Sequence, residues 1–311
     1  MNWVSTLATS AISLGTMLAV APLLDGVQRK IAARVHRRIG PSILQGYRDL
    51  AKLFARAVSL RVEGSGRIYA ILPSAYVAIY AIVALTIPTA LAFSPLCGDV
   101  IAVMYLALFG EFLYALAALD TMNPFAATGA SRRFFIHLFS EMPLLLAVFA
   151  LSMSRSVGST SIASISASVM SLALCLRPSY YIALAAAALT LLALLEIQPF
   201  DLSIAEQEIL GGLEAEYGGR DLSLLKLGEL LKRMAMLGLF IAVFLPWGMQ
   251  RSIVFAPLGV VVFVAKALAV YSLASFLSQA FARFRIFNAT RVLTYALALA
   301  VLSLILSSAG D

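Results

Sequence analysis

Eight runs of about twenty mostly apolar residues recur along the chain, and they restrict its fold more than any other feature. They cover about 3–24, 69–93, 100–119, 134–153, 179–196, 228–248, 253–275 and 289–308. Roughly twenty such residues let a helix cross the hydrocarbon core of a bilayer. Within that core a helix also satisfies its own backbone polar groups. Charged residues make up 13% of the 311-residue chain, about half the share of a soluble domain, so lipid must be the solvent for most of its surface. The expected fold is all-α. Residues 1–311 should form one polytopic bundle of about eight transmembrane helices with an amphipathic surface helix. The Ser-rich stretch 157–177 reads as a short interfacial or partly buried helix. Met1 is followed by Asn2 and Trp3 with no basic segment, so the first run is expected to stay as a membrane helix.

An even number of spans puts both termini on one side. The connections 25–68, 120–133, 197–227 and 276–291 then hold seventeen of the 23 Lys and Arg. The opposite connections hold Arg155, Arg177 and Arg251, and Lys232, Arg233 and Lys266 fall inside expected spans. The positive-inside rule places the first set in the cytoplasm and both termini outside, in the plasma membrane. The net charge of +7 therefore reflects topology, not a nucleic-acid surface. Cys97 and Cys175 are too few and too far apart for a metal or iron–sulfur motif. Both fall on the outer side, where they are a disulfide or two unrelated apolar fillers. No Ser–His–Asp grouping, metal-ligand spacing or phosphate loop is present, and His36 and His137 stand isolated. No bond-making chemistry and no resident cofactor are expected of this chain itself.

Two connections carry the charge. In 25–68 the pair Gly40-Pro41 breaks the chain and Ser42 reads as a helix N-cap. Ile43, Tyr47, Leu50, Phe54 and Val58 then recur at helical spacing, with Arg48, Lys52 and Arg56 opposite. Such a helix lies at a membrane surface. It either anchors to anionic lipid or docks a soluble partner, and ten basic residues in this connection favour docking. In 197–227, Asp201, Glu206, Glu208, Glu214, Glu216 and Asp221 crowd together. Ser203 and Glu206 have capping-box spacing. A helix over 204–217 would put Glu208 and Glu216 on one face and end at Gly218-Gly219. Clustered carboxylates raise one another's proton affinity, as a proton-loading funnel requires.

Ionisable groups also lie at membrane depth, where each costs about 2.5–3.5 kcal/mol. Glu111 falls in the third run, Glu141 in the fourth, Glu196 at the end of the fifth and Lys266 in the seventh. They either pair with one another across helices or relay protons. Glu229, Lys232 and Arg233 have the spacing of an ion pair at a helix mouth.

These residues carry a resemblance. IQPFDLSIAEQEILGGLEAEYGG resembles the acidic loop of the NADH dehydrogenase subunit 1 family, and RRIGPSILQGYRDLAKLF is similar to that family's first cytoplasmic loop. The family also takes in formate hydrogenlyase subunit 4 and the corresponding subunits of energy-converting membrane-bound hydrogenases. LDTMNPFAATGASRRFF leans toward the hydrogenase branch. The resemblance implies a subunit that anchors a soluble electron-transfer arm and starts a lateral proton path into antiporter-like membrane subunits. It matches Asp201, Glu206, Glu208 and Glu216 to acidic-loop positions and Glu141 to a buried glutamate. Glu111 and Lys266 rest mainly on burial.

The sequence thus reads as a non-catalytic membrane-anchor and coupling subunit of a redox-driven ion pump. Arg29, Lys30, Arg34, Arg37, Arg38, Gly40, Pro41, Arg132 and Arg133 would dock soluble iron–sulfur and hydrogenase-large/small-like subunits. Iron–sulfur clusters, and in the hydrogenase branch a [NiFe] centre, would sit in those partners. The alternatives are the quinone-binding subunit of an NADH:quinone oxidoreductase-type complex, a sulfur-reducing relative, and a stand-alone secondary transporter. The chain has no matched broken helices of the kind an inverted-repeat transporter uses.

Overall fold

A computed structural model describes residues 3–56, 66–92, 98–154, 157–172, 174–201, 211–250 and 252–309. The described residues form helices joined by short turns, with no strand beyond two isolated bridges. In chain order these are α1 (Trp3–Val35), α2 (Gln45–Phe54), α3 (Arg67–Thr86), α4 (Val100–Asp120) and α5 (Pro124–Ser152). There follow α6 (Ile162–Met170), α7 (Pro178–Leu194), α8 (Gly219–Phe244), α9 (Ala256–Ser278) and α10 (Ile286–Ala309). Among the described residues, six helices are long and apolar enough to cross a membrane: α1 from Thr6, α3, α4, α5, α9 and α10. The other two expected spans fall on α7, an apolar helix of 17 residues, and on α8, which carries Glu229, Lys232 and Arg233.

Helix α8 is the axis of the bundle. From Gly228 to Phe244 it is buried at every position but Arg233, and α1, α2, α3, α6, α7 and α9 pack on it. From Met234 to Phe244 it is apolar on all sides, and such a helix has to be buried in this way. Small residues let its neighbours close in, as is usual between membrane helices. A Cβ on Gly228 would lie 2.5 Å from Cδ1 of the Tyr76 ring, and one on Gly238 2.6 Å from Met17 Cε. Helices α5, α7 and α10 form a second packed group, and α3, α4 and α5 bridge the two.

Several boundaries correct the sequence reading. Helix α5 starts ten residues before position 134. Asn123 caps it by accepting a hydrogen bond from Phe125 N at 2.9 Å, and Pro124 takes the first turn, where its missing N–H costs nothing. The connection 120–133 is therefore a tight turn, and Arg132 and Arg133 are helical. Helix α1 likewise runs on to Val35, carrying Arg29, Lys30 and Arg34 with it. Helix α2 begins at Gln45 with Leu44 at the cap position and no side-chain cap, so Ser42 is not its N-cap; the Ser42 carbonyl accepts from Gln45 N at 3.0 Å. A single helix over 204–217 does not form. Residues 202–210, with Glu206 and Glu208, lie outside the described residues. Beyond them Gly211 (φ 89°) and Gly212 (φ 60°) adopt left-handed backbone, and Gly212–Glu216 is a 3-10 turn. The Ser-rich stretch yields α6, a nine-residue helix whose Ser166 Oγ donates to Ala242 O at 2.9 Å.

Candidate functional site

At the level where α3, α4, α5, α7 and α8 meet, seven ionisable side chains are buried together. Glu111 (α4), Arg133, His137 and Glu141 (α5), Glu229 and Lys232 (α8), and Glu196 just past α7 are all 7% exposed or less. Arg133 is the hub. Its Nε lies 2.8 Å from Glu111 Oε2 and 3.1 Å from Glu196 Oε1, and its Nη1 lies 2.7 Å from Glu229 Oε1. Its Nη2 donates to Tyr76 Oη at 2.7 Å, and its guanidinium stacks 4.0 Å above the Tyr114 ring. Lys232 Nζ is 2.8 Å from both Glu111 Oε1 and Glu196 Oε1. The hydroxyls of Tyr76 and Tyr80 donate to Glu111 Oε1 at 2.8 and 2.9 Å.

The other end of the cluster is looser. His137 Nε2 stands 3.3 Å from Glu196 Oε1 and Nδ1 stands 3.8 Å from Glu141 Oε1, neither aligned as a hydrogen bond. Glu141 Oε1 and Glu196 Oε2 are buried without a hydrogen-bond partner among the described residues. A buried charge needs a paired opposite charge. Among the described residues, four carboxyls here are in ion-pair range of two permanent cations and one imidazole, with Arg233 the nearest further cation on α8. Ligand atoms of Glu111, His137 and Glu196 lie within 4.8 Å of one another, which a metal ion could bridge. The Lys232 ammonium already stands against both carboxylates, so the donor set does not fit a further cation.

The expected site residues divide accordingly. Glu111, Glu141 and Glu196 come together in the cluster. Arg133, expected on a docking face, is instead its centre, because α5 starts early enough to carry that side chain inward. His137, read as isolated, belongs to it, as do Glu229 and Lys232. Glu229 pairs with Arg133 instead of Lys232, because Lys232 faces α4 and the end of α7. Lys266 is elsewhere: its Nζ donates to Leu245 O at 2.6 Å and to Trp247 O. Glu216 accepts from Asn123 Nδ2. Asp201 is half-buried, 3.2 Å from Arg283 Nη2; burial raises its carboxyl above the usual range against the pull of Arg283.

On the basic surface, Arg29 is tied to Asp25 and Asp49 at 2.8 Å each, and Lys30 Nζ donates to Ile39 O at 2.9 Å. Arg34, Arg37 and Arg38 are exposed, beside exposed Ile39, Ile43, Leu44 and Tyr47. Gly40 (φ 69°) and Pro41 turn the chain there, and a Cβ on Gly40 would lie 2.5 Å from Ala33 Cβ. Arg132 is half-buried. Cys97 lies outside the described residues, and Cys175 is a free thiol whose Sγ meets Val169 O at 3.6 Å.

The profile of the NADH dehydrogenase family matches residues 7–308. The chain is 37% identical over 238 residues to formate hydrogenlyase subunit 4 of Escherichia coli (strain K12), covering 76% of each chain. It is 36% identical over 275 residues to hydrogenase-4 component C of the same organism, covering 86% of this chain and 85% of that one. A chain in the solved structure of the membrane-bound sulfane sulfur reductase, an archaeal respiratory membrane complex, superposes with a TM-score of 0.83. That chain is 26% identical, and the superposition covers 97% of this chain and 99% of that one. By sequence and by fold, this multi-pass membrane protein belongs to the NADH dehydrogenase (subunit 1-like) family.

Proposed function

We propose that this chain is the membrane-anchor and coupling subunit of a redox-driven ion-pumping complex of the hydrogenase-like kind. The buried ionic cluster carries the reading. A structural ion pair is satisfied at charge balance, whereas this cluster holds an excess of carboxyls that protons have to neutralise in so dry a place. Arg133 links three carboxylates on three elements, so a change at any one shifts the others. The ion path would run through Glu229, Arg133, Glu111 and Glu196 to the loosely held His137 and Glu141. Asp201, Glu206 and Glu208 would lie on the approach from the acidic loop.

With Arg133 moved into the buried cluster, sixteen basic residues remain on one side against three on the other, which supports a cytoplasmic face for α2 and the acidic loop, with both termini on the outside of the plasma membrane. Exposed Arg34, Arg37 and Arg38, interleaved with exposed apolar side chains, suit the docking of a soluble arm. Iron–sulfur clusters, and a [NiFe] centre in the hydrogenase form, would belong to that arm and supply the electron transfer. Antiporter-like membrane subunits would take up the ion at the Glu141 end.

The test is the assembled complex, purified in mild detergent and reconstituted in vesicles. Iron–sulfur and hydrogenase-like subunits should co-purify. Glu196→Gln and Glu111→Gln should assemble and lose coupled turnover. Undiminished ion transport and turnover in both variants would overturn the coupling role.

A further inference from the structure

The turn that carries Glu214 is clamped from several sides. Tyr69 Oη donates to Glu216 O at 2.5 Å and Tyr217 Oη donates to Tyr69 O at 2.7 Å. The two rings stack at 4.3 Å between centroids with 5° between planes. Asn123 binds the Glu216 carboxylate, and Tyr69 N donates to Asp120 Oδ2 at 2.9 Å. The clamp holds the half-buried Glu214 beside the start of α8. Glu214 Oε1 is buried with no partner among the described residues. A carboxylate only accepts hydrogen bonds, so a buried carboxyl oxygen that meets no donor favours a proton on the group.

A cavity of about 360 Å³ opens at this place, between the end of α1, α2 and the first turns of α8. Arg29, Lys52 and Arg56, all exposed, form its rim. Glu214 and Glu229 both line it. Glu229 is also held by Arg133 at 2.7 Å, so the cavity touches the buried cluster through this residue. Burial and the Glu229 carboxylate push Glu214 well above the usual carboxylate range, against the pull of Lys226 and Arg133.

We propose that Glu214 and Glu229 form the proton-exchange point between the solvent-facing cavity, which both line, and the ionic cluster, which Glu229 joins through Arg133. The inference rests on the coupling reading above. A hydronium ion at the cavity side gives its proton to Glu214. The proton already on Glu214 passes to Glu229, the other carboxyl lining the cavity, leaving water behind and both carboxyls neutral. A neutral Glu229 weakens its hold on Arg133, which then leans on Glu111 and Glu196. A proton arriving at the cavity is thereby felt inside the membrane. Glu214 is a positioning and proton-exchange residue, and its neighbour Glu216 only holds the turn.

Infrared spectroscopy of the reconstituted complex should reveal a protonated-carboxyl band that shifts in D₂O and is missing in Glu214→Gln. The same variant should assemble and lose coupled turnover by about 100-fold, the scale of a lost proton-transfer group. Glu214→Asp, which still titrates, should recover most of it. Wild-type turnover in Glu214→Gln, or a slow Glu214→Gln that keeps the band, would overturn the proposal. So would the absence of any such band in the native complex, whether or not the variant assembles. If Glu196→Gln blocks turnover while Glu214→Gln is silent, only the role of Glu214 falls. If both are silent, the coupling reading falls with it.

Discussion

Two lysines interrupt apolar helices in much the same way, and their surroundings give them different work. Lys232 in α8 is 0% exposed and its ammonium is shared by the carboxylates of Glu111 and Glu196. Lys266 in α9 is half-buried and caps the carbonyls of Leu245 and Trp247, just beyond the end of α8. The last carbonyls of a helix have no intrahelical donor, and a cation there also meets the negative end of the helix dipole. One lysine therefore faces acceptors that can take a proton, and the other faces acceptors that cannot. Burial of a charge marks a residue as constrained; the acceptor decides whether it can join a proton path.

The sharpest way to break this comparison is Lys232→Met. It strands Glu111 and Glu196 with one cation fewer, and removing one partner of a buried ion pair costs about 3–5 kcal/mol. Thermal unfolding of the purified complex should register that loss. Adding Glu196→Gln should restore part of it, because the penalty belongs to the uncompensated carboxylate. A Lys232→Met protein as stable as the parent would mean that the cluster carries its charges elsewhere.

Next in size is Lys266→Met. It removes hydrogen bonds from a charged donor, each worth about 1.5–3 kcal/mol, and should lower stability with coupled turnover within about twofold of the parent. Loss of turnover at unchanged stability would put Lys266 back on the ion path. Gly228→Ala perturbs the cluster without touching a charge. The new Cβ would crowd Cδ1 of Tyr76, whose hydroxyl joins Glu111 to Arg133, and overpacking of this sort costs about 1–3 kcal/mol. Turnover should fall along with stability, unlike in Lys266→Met.

Much of this was legible beforehand. The apolar runs located the spanning helices, and a carboxylate inside such a run was enough to single out Glu111, Glu141 and Glu196. Arg133 was missed because an Arg-Arg pair near a connection reads as surface charge. The signal that could have placed it is the Asn123-Pro124 helix start. In an antiparallel helix pair with equal rise per residue, positions equidistant from the turn sit at equal depth. Glu111 and Arg133 are each eleven residues from Met122, which occupies the turn with φ 53°. His137 follows one helical turn later on the same face. Pairings between helices far apart in sequence, such as Lys232 with Glu196, leave no such trace. The acidic helix was a misreading of Gly211-Gly212, where left-handed backbone ends any helical register.

The smallest expected effect separates two glutamates only two positions apart. Glu216 matches the family's acidic loop by resemblance, yet it is spent on the clamp: its carboxylate accepts from Asn123 and its carbonyl accepts from Tyr69. Glu216→Gln keeps an amide oxygen for Asn123 and leaves the backbone contact alone. What it loses is the charge on one hydrogen bond, about 1 kcal/mol or less. Coupled turnover should stay near the parent value, while Glu214→Gln, on the same turn, should nearly abolish it. Measured side by side in one reconstituted preparation, the two variants ask whether the acidic loop acts through its total charge or through one placed carboxyl. Equal losses would favour total charge and return Glu216 to the ion path; a large loss at 214 alone would tie function to the one carboxyl that lines the cavity with Glu229.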